Sequence, residues 1–268
     1  MSKRDLESAA KLIRKRAHGT IDLAMILGSG LGAALAHDAD RVALAYENIP
    51  GMPRQRALGH AGVAHIGSWG SQQTLIFAGR PHLYQGYEPN EVIYPVRLAA
   101  AAGARAIIIT NAAGGLNTGF APGDLMLITD QINFTGTSVP IAKNDPNPFI
   151  DMVDAYTPRW CRRARRSAAA AAVALREGTY VGVRGPAYES PAEISFYRAA
   201  GGDAIGMSTV LETIAARSCG LEVLGLSIIS NIWHDGAATS HADVLATTAR
   251  ASADAFRFLD ALFADFDA

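Results

Sequence analysis

Near the N-terminus the apolar positions Leu6, Ala9, Ala10, Ile13 and Ala17 recur at helical spacing, which predicts an amphipathic helix over residues 5–18. The pattern then changes to an unbroken apolar run, "IDLAMIL", as expected of a strand buried on both faces, and this run feeds a glycine-rich turn, "GSGLG". "GVAHIGSWGSQQTLIFAG" reads as a hairpin with "QTLIFAG" as its second strand. Residues 91–103 read as one helix closed by Gly103, followed by a short buried strand, "RAIIIT", with "TNAAGGLN" at its C-terminal end. "GDLMLITDQI" is a further strand ahead of a Pro/Asn-rich loop, and "TPRWCRRARRSAAAAAVALREG" a helix. Strands at "TYVGV", "DAIGM" and "VLGLSIIS" follow, with helices between them, and a long helix runs from His241 to Phe263. With no linker, repeat or low-complexity tract in this alternation, the pattern predicts a single α/β domain over residues 1–268.

Composition narrows the class. Hydrophobic residues make up 49% and charged residues 18%, as suits a compact enzyme with a large core. The formal charge of −1 gives no overall field that would recruit nucleic acid or an acidic membrane. Arg159, Arg162, Arg163, Arg165 and Arg166 form a basic cluster, read as the solvated face of a helix. Cys161 and Cys219 show no metal or redox spacing and fit a reducing compartment. The first twenty residues are charged throughout, and no apolar run approaches the ~20 residues that cross a bilayer. A cytoplasmic globular protein is expected.

The chemistry begins at "MILGSGLG". Glycines after a strand let backbone N–H groups approach an anion. The turn resembles a dinucleotide fingerprint, and Glu47 follows at roughly the ~20-residue distance of the ribose-binding acid. The third small residue is misplaced, however, and turn-rich "ALAYENIPGMPRQRALGH" replaces a clean βαβ unit. No Gly-Lys-Ser/Thr follows as a P-loop requires. Ser29 is more informative, a hydroxyl between two glycines where a small anion meets both side chain and backbone. In "GRPHLYQGY", Arg80 can grip an oxyanion through two parallel hydrogen bonds. His82 and Tyr84 would share its side of an extended stretch. "TNAAGGLN" lies where open α/β sheets collect ligands.

Taken in order, "ILGSGLG", "LGHAG", "GRPHLYQGY", "PVRLAAAAGARAIIITNAAGGLN", "GDLMLITDQIN", "GPAYESPAEI", "GMSTVLE" and "ISN" resemble the trimeric, low-molecular-mass purine nucleoside phosphorylases. The resemblance implies a mixed, partly barrel-like sheet flanked by helices, and inorganic phosphate as a co-substrate rather than a cofactor. It implies that Ser29, Arg80, His82, the Ala112 backbone N–H and Ser208 bind phosphate, with His60 completing the rim. The ribose would lie on Met207, with Tyr84 reaching its 3′-hydroxyl and His241 its 5′-hydroxyl. The purine would sit between Tyr188 and Val244, its edge read by Glu189 and Asn231. Asn231, Glu189 and His82 would carry the catalysis. Ser240 is also expected to cap the last helix.

The implied reaction is phosphorolysis of 6-oxopurine nucleosides in purine salvage, by a homotrimer with no metal and no nucleic-acid or membrane partner. In the family a phenylalanine closes the neighbouring subunit's ribose pocket, and Phe149 in "FIDMVDAY" is the best match. Three departures stand out. Leu211 replaces a common proline, the 134–148 loop is short, and the segment joining Asn231 to His241 is short and unusual. The nearest alternative is a methylthioadenosine phosphorylase, which favours aspartate at the Asn231 position and lacks a histidine like His241. A non-catalytic nucleoside sensor would be expected to have lost phosphate ligands, and a dinucleotide oxidoreductase would bind NAD.

Overall fold

A computed structural model describes residues 3–31, 41–54, 60–140, 148–233 and 240–265, the side chain of His241 excepted. One nine-stranded mixed sheet runs through it. Helix α1 (Lys3–Arg16) buries Ala9, Ala10 and Ile13, the face expected from the pattern. Strand β1 (Leu23–Leu27) is buried along its whole length. It lies between β4 (Gln72–Ala78) and β5 (Ala106–Gly115), parallel to both. The hairpin is present as β3 (Val63–Trp69) and β4, and β2 (Val42–Ala45) adds an antiparallel edge to it. "RAIII" is apolar without alternation because both faces of β5 are covered there; Ile107, Ile108 and Ile109 are fully buried. Each such side chain contributes roughly 1.5–3 kcal/mol relative to exposure.

The second half of the sheet closes on itself. Strand β6 (Leu125–Phe134) pairs with β7 (Leu175–Val183) and β9 (Glu222–Ile232), while β7 pairs with β8 (Ala204–Gly206). Both β8 and β9 return to β5, so β5, β8, β7, β6 and β9 form a ring. Strand β9 occupies one edge of β5 along its whole length. The other edge is shared: Ala106–Ile109 pair with β1, and Gly114–Gly115 pair with β8. Between the end of β1 and the start of β8, residues 110–113 have no strand partner on that edge among the described residues. This gap in the sheet, where the open part meets the barrel, is where the site lies.

Several expected boundaries move. The helix expected over 91–103 is two, α2 (Pro89–Val92) and α3 (Tyr94–Ala102), because Pro95 lacks an N–H and crowds the preceding turn. Helix α4 (Pro158–Ala170) stops before "VALREG"; Leu175 opens β7, since pairing with β6 overrides the alanine run's helix preference. "NAAGG" is not a turn beyond a strand but the second half of β5, held by β9 on one side and β8 on the other. The glycines permit this; a Cβ at Gly115 would lie 2.3 Å from Ile232 Cδ1. Helices α5 (Pro191–Ala199), α6 (Val210–Ser218) and α7 (His241–Ala264) complete the order. As expected, Ser240 caps α7, its hydroxyl accepting from Asp243 N–H at 3.2 Å. Among the described residues no helix is long and apolar enough to cross a membrane.

Candidate active site

A cavity of about 280 Å³ opens at the gap in the sheet. One end is polar. The turn after β1 brings Gly28 so close to β5 that a Cβ would lie 2.7 Å from Asn111 Cα, so no other residue fits without displacing the strand. Gly28 N–H donates to Thr110 Oγ1 at 2.9 Å, and Ser29 Oγ stands 3.3 Å from His60 Nε2. His60 presses on Gly79, whose φ of +118° and lack of a Cβ are both required there. The rings of His60, His82 and Tyr84 form a row, with centroids 5.4 Å and 4.7 Å apart.

Tyr84 joins this row by another route than the extended register expected of it. His82 is extended, but Leu83–Gln85 form a single 3₁₀ turn, and stacking on His82 brings the Tyr84 ring in. Gln85 Oε1 accepts from the His82 backbone N–H at 2.9 Å and lies 3.3 Å from His82 Nδ1. Burial, then His60, then Arg80 hold the His82 imidazole well below its ordinary pKa, so it is neutral at pH 7.

Arg80 is 1% exposed and is bound more tightly into the fold than the expected two-pronged grip on an anion would allow. Its Nε faces Glu212 Oε1 at 3.1 Å, and Nη2 donates to the carbonyls of Ile26 and Thr110. Nη1 donates to Ser208 Oγ at 3.1 Å, and Ser208 also lines the cavity. Thr209, next in sequence, has φ +69°, a strained value for a β-branched residue. Three contacts hold it there. Its N–H donates to Glu212 Oε2, its Oγ1 accepts from Asn111 Nδ2 at 2.9 Å, and Ser208 Oγ lies 3.3 Å away. Tyr180 supports the same turn by accepting from Ser208 N–H, and burial pushes its phenol up to about 12.

The other end of the cavity is apolar, lined by Ile194, Ile205, Met207, Tyr188, Trp233 and Val244. Among the described residues, Glu189 and Asn231 bring polar side chains into it. Glu189 immediately precedes the capping box of α5, in which Ser190 and Glu193 satisfy each other's backbone N–H groups. Burial raises the Glu189 pKa, opposed by a backbone hydrogen bond. Asn231 owes its aim to a bulge: β9 gains one residue at Ser230, so Ala113 faces Ile229 while Gly114 faces Asn231. Ser230 Oγ lies 2.7 Å from Asn231 Oδ1 and 3.2 Å from the Ala113 carbonyl.

Of the residues singled out from the sequence, Ser29, His60, Arg80, His82, Tyr84, Ala112, Tyr188, Glu189, Met207, Ser208, Asn231 and Val244 all line this cavity. Phe149 does not; it is 85% exposed and away from its own chain's site. The His241 side chain and residues 234–239 lie outside the described residues, as does the closure of the base end that depends on them. Sequence reading missed Glu212, Thr209, Asn111, Ser230 and Trp233, all within or beside quoted motifs. Among the described residues no group of three or more His, Cys, Asp or Glu side chains is placed to hold a metal ion.

Residues 22–264 match the Phosphorylase superfamily. Purine nucleoside phosphorylase 1 of Geobacillus stearothermophilus is 40% identical over 267 residues, covering 98% of this chain and 97% of that protein. Purine nucleoside phosphorylase 1 of Bacillus subtilis is 39% identical over 267 residues, covering 98% of each chain. The purine nucleoside phosphorylase of Mycobacterium tuberculosis is 43% identical over 245 residues, 90% of this chain and 88% of that one. With a polar cradle and an apolar slot sharing one cavity at the sheet's gap, and with similarity over nearly its full length, the chain belongs to the phosphorylase superfamily.

Proposed function

We propose that the chain is a purine nucleoside phosphorylase that cleaves 6-oxopurine nucleosides, ribo and deoxyribo, to the free base and (deoxy)ribose 1-phosphate, reversibly, in purine salvage. The observation that carries this reading is the joining, in one cavity, of an anion-compatible end around Ser29, Arg80 and Ser208 to an apolar end entered by Glu189 and Asn231. Phosphate binds at the first end, with His60, His82 and the Ala112 backbone N–H. Met207 and Tyr84 hold the sugar between the two ends, with the anomeric carbon facing the phosphate. Holding both reactants in line removes much of the entropic part of the barrier.

The glycosidic bond lengthens first, leaving an oxocarbenium-like sugar between the departing purine and the phosphate, and attack from the opposite face inverts the anomeric centre. Charge flows onto the purine. Asn231 stabilises it there, donating to the 6-oxo group and accepting from the imidazole-ring nitrogen that gains a proton, while Glu189 accepts from the pyrimidine-ring N–H. These contacts strengthen as the charge develops, which is what lowers a barrier. Inorganic phosphate is the co-substrate, no cofactor takes part, and the working unit is a cytoplasmic homotrimer.

Ultraviolet assays of inosine, guanosine, xanthosine, adenosine and methylthioadenosine, each with and without phosphate, test the reading. Phosphate-dependent cleavage of inosine and guanosine is expected. Equal rates without phosphate would make the enzyme a hydrolase, and preference for methylthioadenosine would move it to the 6-amino branch of the superfamily.

A further inference from the structure

The arginine cluster read from the sequence as a solvated helix face has a second feature: it walls a cavity. This cavity, about 450 Å³ against 280 Å³ for the substrate site, is bordered by Arg105, Arg159, Arg162, Arg163 and Arg166. It lies at the far end of the sheet from the active site. Leu23, Ala106 and Glu222, the first residues of β1, β5 and β9, line it, whereas the C-terminal parts of the same strands lead to the substrate site.

Among the described residues arginines outnumber carboxylates around this cavity. Arg105 pairs with Asp22 at a long 3.5 Å, Arg159 shares Glu222 with the Trp160 indole N–H, and Arg163 and Arg166 share Asp265. Among the described residues five guanidinium groups thus meet three carboxylates, and each of those carboxylates serves two donors. Arg162 is exposed and has no ion pair among the described residues. Arg105 is 78% exposed and so able to swing inward. The wall itself is rigid, because Trp160 is 4% exposed with the Arg163 guanidinium 5.5 Å from its ring centre. A concave, net-cationic site with forked donors suits a compact, multiply charged oxyanion; a duplex nucleic acid would need a broad convex or grooved face.

We propose that this cavity is a second anion site, distinct from the substrate site, that binds the polyphosphate group of a small molecule. The shared chemistry is a chain of linked phosphates, either free or carried by a nucleoside.

Calorimetric titration of the intact protein tests this, with inorganic phosphate held at saturation so that the substrate site is occupied. Tripolyphosphate and metal-free ATP serve as probes, and adenosine as the uncharged control. Saturable binding of tripolyphosphate, weakened by salt, is expected. Arg162→Ala and, separately, Arg105→Ala should weaken it by about tenfold, the loss of one charge-assisted hydrogen bond. Both side chains are exposed, so both variants should fold, and phosphorolysis measured without polyphosphate should be unchanged in each. Comparable affinity for ATP would assign recognition to the phosphates alone; much tighter ATP binding would assign part of it to the nucleoside. The proposal fails if tripolyphosphate does not bind, if both variants bind it as the parent does, if inorganic phosphate displaces it, or if a duplex oligonucleotide binds in preference.

Discussion

Arg80 Nε and Glu212 Oε1 lie 3.1 Å apart, with both side chains 1% exposed, directly beneath the polar end of the cavity. The pair does two jobs at once. Glu212 supplies the counter-charge that lets a guanidinium stay buried, and its other oxygen holds the Thr209 N–H in a strained turn. Arg80 in turn fixes Ser208. Burial pushes the Glu212 pKa up, while Arg80 and the Thr209 N–H pull it back.

Glu212→Gln keeps an acceptor for Thr209 but removes the counter-charge. Breaking a buried ion pair from one side costs about 3–5 kcal/mol. The variant is therefore expected to unfold at a markedly lower urea concentration and to show a several-fold higher KM for phosphate, with a smaller change for nucleoside. An unchanged urea midpoint would mean that Arg80 does not depend on Glu212.

That pair also marks where the sequence stopped being legible. "GSGLG", "GRPHLY" and "GMSTVLE" each named residues that line the cavity, because turn glycines and adjacent polar side chains are local signals. Glu212 and Arg80 carry no local sign of meeting, since the contact depends on how α6 packs against the sheet at β5 and β9. The continuation of β5 through "NAAGG" was hidden for the same reason. Glycines there look like a turn until Ile232 and Ile229 are known to press on them. The bulge at Ser230 is likewise a property of pairing between two strands, not of either alone. Leu175 shows the converse error, a local helix preference overruled by strand partners.

Ser230 gives the second prediction. Its hydroxyl, 2.7 Å from Asn231 Oδ1, holds the amide at one orientation where the bulge aims it into the cavity. Ser230→Ala should lower kcat for inosine about tenfold, an effect the size of one lost hydrogen bond, with little change in KM. Ser230→Thr should restore most of it. Asn231→Asp tests the amide itself. A carboxylate repels a 6-oxo group but accepts from a 6-amino group, so the inosine-to-adenosine ratio of kcat/KM should fall by orders of magnitude. A ratio that stays constant would remove Asn231 from the base end.

Gln85 sets up a pH test. With Nδ1–H donating to Gln85 Oε1, the neutral His82 presents Nε2 as an acceptor, which favours a protonated phosphate oxygen over a bare one. Because burial, His60 and Arg80 lower its pKa, the imidazole gains a proton only well below the ordinary 6.5. Gln85→Glu places a carboxylate at the same distance and should raise that pKa. The imidazolium form then persists to higher pH, so phosphate KM should be lower than the parent's on the acidic side of neutrality. The two should converge as pH rises above the new pKa. Superimposable profiles of phosphate KM against pH would show that Gln85 does not govern the state of His82.

The last prediction concerns Phe149, 85% exposed on a segment whose next residues, Ile150 and Met152, are packed against the main core. A firmly anchored segment that presents a large aromatic ring outward suggests an aromatic meant for another surface. The proposed trimer supplies one, with Phe149 of one chain lying over the ribose end of the next chain's cavity. An oxocarbenium-like sugar has to be kept from water, and a ring arriving from a neighbour can cover the nucleoside while phosphate enters from the glycine-turn side. Phe149→Ala should therefore raise nucleoside KM and lower kcat while leaving phosphate binding largely intact. Mixing gives the sharper measurement. Chains carrying only Phe149→Ala, co-refolded with chains carrying only Arg80→Ala, should form hybrid trimers in which some sites hold both parental residues, and part of the activity should return. A monomer at assay concentration, or mixed trimers that regain no activity, would show that each chain closes its own site by other means.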